Sequence, residues 1–84
     1  MISFEESAFG EYCQWAKDDK NIFNKINSLI TDIIRDPFHG IGKPEPLKWN
    51  LTGHWSRRIT DEHRLVYKVL SDHIIIISCK YHYK

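Results

Sequence analysis

The chain predicts an α+β domain: two N-terminal helices packed on one face of a twisted, mainly antiparallel sheet. Three observations carry this expectation. Ile22, Ile26, Leu29, Ile30 and Ile33 recur at helical spacing behind Asp19, a good N-cap. Beyond a proline-rich bend, short apolar runs rich in β-branched and aromatic residues replace that period. The order is segregated, with helices first and strands after, which favours helices covering an antiparallel sheet over a βαβ alternation.

Met1 to Phe4 is a short apolar start suited to an edge strand. Phe9, Tyr12, Cys13 and Ala16 then fall at helical spacing and predict the first helix. The second helix must stop near Arg35 and Asp36, because Pro37 disfavours α geometry in the residue before it and has no amide hydrogen to continue the ladder. Residues 37–46 hold three prolines and two glycines, so they form a loop, stiffest near Glu45 between Pro44 and Pro46. Strands are expected at Leu47 to Leu51, Trp55 to Ile59, His63 to Leu70 and His73 to Tyr81, with Ser71 and Asp72 as a tight hairpin turn.

Eighty-four residues suffice for a single domain, residues 1–84, with a thin core. A hydrophobic fraction of 42% with 27% charged residues places the chain among folded globular proteins rather than disordered ones. The longest apolar run, Ile74 to Ile77, is far below the ~20 residues of a membrane span, and no signal-like segment opens the chain, so a cytoplasmic protein without membrane contact is expected. Cys13 and Cys79 have no framework spacing and are read as reduced. The formal charge of +1 hides an asymmetry. Residues 1–42 hold four Lys and Arg against seven Asp and Glu, whereas residues 43–84 hold eight against four. A basic half of this kind suits a polyanion, although it is also compatible with an ordinary solvated surface.

Residues two apart on a strand share a face. On the third expected strand Leu65, Tyr67 and Val69 form one set and Arg64, Val66 and Lys68 the other. On the last, Ile75, Ile77, Cys79 and Tyr81 are expected to meet the helices, leaving Ser78, Lys80 and His82 opposite. Arg64, Lys68, Lys80 and His82 would then share the uncovered surface, provided the hairpin keeps its register.

Internal transesterification of an RNA phosphodiester needs a base for the 2′-hydroxyl proton, an acid for the departing 5′-oxygen and positive charge at the phosphorane. Glu45, His82 and Arg64 match these needs by type. Histidine titrates near working pH, and arginine offers two parallel hydrogen bonds to nonbridging oxygens. Glutamate is a weak base unless its surroundings raise its pKa, and the residues alone leave open whether Glu45 or His82 is the base. Each also has an ordinary structural explanation: a solvated loop carboxylate, a chain-end histidine, and an arginine paired with Glu62 or Asp61. His39, His54, His63, His73 and His82 show no zinc spacing, so no metal and no cofactor are expected.

Long stretches add a resemblance. Residues 36–48, containing Gly-Lys-Pro-Glu-Pro-Leu-Lys, residues 53–67, containing Trp-Ser-Arg-Arg-Ile-Thr and Glu-His-Arg-Leu-Val-Tyr, and the terminal Tyr81-His82-Tyr83 resemble the YoeB branch of the RelE toxin superfamily over nearly the whole chain. The resemblance implies a microbial RNase-like fold of RelE type. It also implies the toxin of a toxin–antitoxin pair that enters the ribosomal A site, cuts mRNA there and is wrapped by a YefM-like antitoxin. Carried onto this sequence, the general base falls on Glu45, the phosphate-stabilising arginine on Arg64, the general acid on His82 and the terminal aromatic on Tyr83. Lys48 and Arg58 match supporting basic positions. Homodimerisation, and contact with operator DNA only through the antitoxin complex, follow from the same resemblance. Trp49, where some relatives carry a polar residue, and the added Lys84 depart from the pattern. Two other readings remain at this point: an antitoxin-binding co-repressor module without catalysis, and a ribosome-independent RNase.

Overall fold

The computed structural model describes residues 1–48 and 51–81. Its elements run β1 (Ile2–Phe4), α1 (Glu6–Asp18), α2 (Lys20–Arg35), β2 (Glu45–Pro46), β3 (His54–Arg58), β4 (Arg64–Val69) and β5 (Ile74–Ser78). They build one five-stranded sheet in the order β1-β5-β4-β3-β2. Among the described residues only the β1–β5 pairing is parallel, so the sheet is mainly antiparallel as expected. Among the described residues no helix is long and apolar enough to cross a membrane.

Asp19 caps α2 as its position predicts: its carboxylate accepts the backbone N–H groups of Asn21 at 3.0 Å and Ile22 at 3.2 Å. Ile26, Leu29 and Ile33 of α2 are fully buried with Ala8 of α1 against Leu65, Tyr67, Ile76 and Cys79, while Ile22 and Ile30 pack at the margin. The helical spacing thus supplies one apolar stripe that meets one face of the sheet. At the other end of this layer, Phe4, Tyr12 and Phe23 tie β1 to both helices, with centroid separations of 5.2 Å and 4.8 Å.

The strands depart from expectation in three places. The strand expected at Leu47 to Leu51 lies earlier, at Glu45–Pro46, which pairs with Ser56 and Trp55. Pro44 and Pro46 have no N–H to donate, which restricts this segment to a two-residue strand at the sheet margin. The second departure is on β5, where Ile74 and Ile76, rather than Ile75 and Ile77, face the helices. Tyr67 pairs with Ile76 but Val66 pairs with Ser78, so Ile77 is a bulge that shifts the alternation by one residue. Beyond the bulge the expected phase returns, and Cys79 is buried. Third, β5 ends at Ser78, and Tyr81 is 56% exposed rather than turned inward. Its φ of +63° takes the chain out of extended geometry.

Candidate active site

The sheet register determines which side chains can meet on the face away from the helices. Directly paired residues share a face, so Glu45, Ser56, Val66 and Ser78 form one row across four strands. Two residues further along, Arg58 pairs with Arg64 in the next row of the same face. Strand spacing puts the Glu45 and Arg64 Cα atoms about 12 Å apart. On the other side of the Glu45 row, His54 pairs with Lys68 and Lys68 with Ile75. Like charges placed opposite each other on adjacent strands cost stability, so the Arg58–Arg64 pair concentrates positive potential at the expense of the fold. Arg58 and Glu45 are solvent-exposed and Arg64 is half-buried.

Arg64 heads β4, and its Nη1 donates to the carbonyl oxygens of Thr60 at 2.6 Å and of Asp61 and His63 at 3.1 Å. These contacts turn the guanidinium toward the β3–β4 connection. An arginine held this way presents a fixed cation at the end of the Glu45 face.

The approach to Glu45 is set by a residue whose role the sequence reading missed. Arg57 is fully buried on the helix-facing side of β3. Its Nε donates to the Tyr67 hydroxyl at 3.1 Å, Nη1 to Asp32 at 2.5 Å and to the Ile41 carbonyl at 3.1 Å, and Nη2 to the carbonyls of Asp36 at 2.7 Å and His39 at 3.2 Å. All five guanidinium donors are used, as a buried arginine requires. Tyr67 passes the network on by donating to the Pro37 carbonyl at 2.7 Å, and burial pushes its pKa up, so the donor proton is retained. The Ile41 amide, joined by the Arg57 and Arg35 guanidinium groups, holds the Asp32 carboxyl at about 2, below its usual 3.8. The Phe38 amide likewise lowers Asp36. Gly42, at φ +80°, passes so close that a Cβ would stand 2.7 Å from Leu29, and its carbonyl accepts the Arg58 N–H at 2.6 Å. The proline-rich bend is therefore clamped to the core before it delivers Glu45. One signal was available: Arg57 shares the parity of Trp55 and so falls on the apolar side of its strand.

The segment after β5 is held as firmly. The Trp15 indole donates to the Cys79 carbonyl at 2.9 Å, the Glu11 carboxylate accepts the Cys79 amide at 2.9 Å, and the Arg64 amide donates to the Tyr81 carbonyl at 3.1 Å. Cys79 is no nucleophile here, since burial, with the Glu11 charge nearby, pushes its thiol up to about 12. Lys80, expected on the open face, instead lies over the Trp15 and Tyr81 rings at 5.7 Å and 5.3 Å. The strand has ended before it, so alternation no longer governs its direction. The Tyr81 amide donates to Nδ1 of His63, a nearly buried histidine to which the sequence assigned no part in the site.

Of the expected site residues, the register brings Glu45, Arg58 and Arg64 onto one face. Lys48 is exposed two residues beyond β2, where no strand pairing fixes its direction. His82 and Tyr83, like Trp49 and Lys84, lie outside the described residues. Among the described residues no three His, Cys, Asp or Glu side chains form a candidate metal site.

The chain as a whole is similar to known proteins. A family profile described as the YoeB-like toxin of bacterial type II toxin-antitoxin systems matches residues 4–83. Toxin YoeB of Escherichia coli strain K12 is 56% identical over 82 residues, covering 98% of both chains. A YoeB from Staphylococcus aureus, solved as a dimer, is 54% identical with a TM-score of 0.90, covering 98% of this chain and 95% of that one. A chain of a YoeB–YefM complex from the same organism is 52% identical, also at a TM-score of 0.90, covering 99% and 97%. The family match, the full-length identity and the shared fold agree: the chain belongs to the YoeB-like toxins of bacterial type II toxin–antitoxin systems.

Proposed function

We propose that this toxin is a ribosome-dependent mRNA endoribonuclease that cleaves mRNA in the A site and so stops translation. The observation that carries the reading is the register that sets Glu45 on the same sheet face as Arg58 and Arg64. Glu45 takes the 2′-hydroxyl proton, and the freed 2′-oxygen attacks phosphorus. Arg64, with Lys48, stabilises the pentavalent charge, and His82 protonates the departing 5′-oxygen. The ends produced are a 2′,3′-cyclic phosphate and a 5′-hydroxyl. Arg58 and Tyr83 support RNA binding, the first by charge and the second by stacking on a base. No metal or cofactor takes part.

Isolated RNA binds weakly to so few cations, and the decoding centre supplies orientation and substrate distortion. The partners in the cytoplasm are the ribosome, a YefM-like antitoxin, a second copy of the toxin, and operator DNA through the antitoxin complex only. The Staphylococcus aureus relatives, solved as a dimer and with YefM, support the protein partners. The deciding experiment compares cleavage of one message with and without translating ribosomes. Cutting only on ribosomes is the expected result. Efficient cutting of naked RNA with a steep salt dependence would make it a free RNase, and no cutting in either arm would make it a binding module.

A further inference from the structure

His63 is only 7% exposed, and its ring lies 4.9 Å from Trp15 and 5.5 Å from Tyr81 between centroids. Its Nδ1 accepts the Tyr81 backbone N–H at 2.9 Å. An amide can only donate, so Nδ1 must carry its lone pair, and the ring proton sits on Nε2, which faces the Glu62 carboxylate at 3.4 Å. Tyr81 has φ +63°, a left-handed conformation that L side chains avoid unless their surroundings impose it. Here it is gripped on both sides, its N–H by His63 and its C=O by the Arg64 amide at 3.1 Å. That turn is the last described step of the chain before His82.

We propose that His63 is a positioning residue for the reaction: its Nδ1 acceptor holds the left-handed turn at Tyr81, the residue from which the chain continues to His82. This inference rests on His82 being the acid. His63 touches no RNA in this scheme and acts on turnover rather than on binding. The charged groups around it are Glu11 and Lys80, which flank the Cys79 to Tyr81 segment, and Glu62 and Arg64 from the β3–β4 connection.

The test uses toxin freed from its antitoxin, programmed ribosomes and three variants. His63→Leu removes the acceptor, His63→Asn places a carbonyl oxygen where Nδ1 stood, and His82→Gln removes the acid. The expected result is a roughly 10- to 100-fold lower kcat for His63→Leu with KM within about twofold, and His63→Asn within about threefold of the parent, since small misplacements of a reacting group carry losses of this size. His63→Leu at the parent's kcat, or equal losses in both His63 variants, would overturn the proposal. Deuterium exchange at the Tyr81 amide of the parent toxin decides the matter even where His63→Leu fails to fold. Protection supports the grip, and exchange at the rate of an open peptide refutes it. Native cleavage by His82→Gln would instead remove the acid assignment while the Tyr81 exchange still judged the grip, so the two failures are distinguishable.

Discussion

Tyr67→Phe removes one oxygen and leaves the ring in place, which makes it the sharpest probe of the clamp beneath the Glu45 loop. The Tyr67 side chain is fully buried, and its hydroxyl both accepts from Arg57 Nε at 3.1 Å and donates to the Pro37 carbonyl at 2.7 Å. Deletion leaves a buried cationic donor and a partly buried carbonyl without their partner. Bonds to charged groups are worth about 1.5–3 kcal/mol, and an orphaned neutral acceptor costs about 1–3 kcal/mol, so with partial relaxation the expected loss is about 3 kcal/mol. For a domain of this size each kcal/mol moves Tm by about 4–8 °C, which gives a fall of roughly 12–24 °C. Thermal unfolding followed by circular dichroism, at fixed toxin concentration, measures it. Below both transitions the variant should also cleave several-fold more slowly, because Pro37 opens the loop that ends at Glu45. A Tm within about 4 °C of the parent would show that the Arg57–Tyr67–Pro37 chain does not carry the bend.

Gly42→Ala should lose about 1–3 kcal/mol in urea unfolding, because the residue sits at φ +80° with Leu29 2.7 Å from the added carbon. The Asp32 carboxyl is held at about 2 against 3.8, so its contribution to stability is complete above pH 3.8 and is lost as pH falls toward 2. Urea midpoints between pH 6 and pH 2 should therefore drop in that window for the parent and more shallowly for Asp32→Asn. Arg58→Ala should weaken toxin binding to programmed ribosomes and reduce the slope of log affinity against log salt by about 1, as for one lost phosphate contact. An unchanged slope would place Arg58 away from the RNA backbone.

How much of this was legible in the residues depended on whether a local rule had a competitor. The five apolar positions of α2, the Asp19 cap and the stop at Pro37 are local, and the structure follows them. The hairpin at Ser71 and Asp72 is equally local, closed by the Leu70 amide donating to the His73 carbonyl at 2.8 Å. The bulge at Ile77 could not be read, because four consecutive isoleucines carry no alternation from which to fix a phase. The stiffness of the bend around Glu45 is local, set by Pro44 and Pro46, yet the place of Glu45 on the sheet came from pairing with Ser56, a long-range fact. Arg57 and His63 were hidden for a different reason. Charged and titratable residues suggest surface or chemistry, whereas here one is a fully satisfied tether and the other a buried acceptor.

Asp19 ends one helix and begins the next. Its own amide closes α1 on the Trp15 carbonyl at 2.9 Å while its carboxylate opens α2, so the corner between the helices contains no spare residue. Inserting a single amino acid there would separate the two duties and, where it joined a helix, would swing everything beyond by about 100°. Trp15, whose indole secures Cys79, stands one turn before that corner. The length of the connection thus acts as a gauge block: it aligns a helical pair with a C-terminal segment more than sixty positions away.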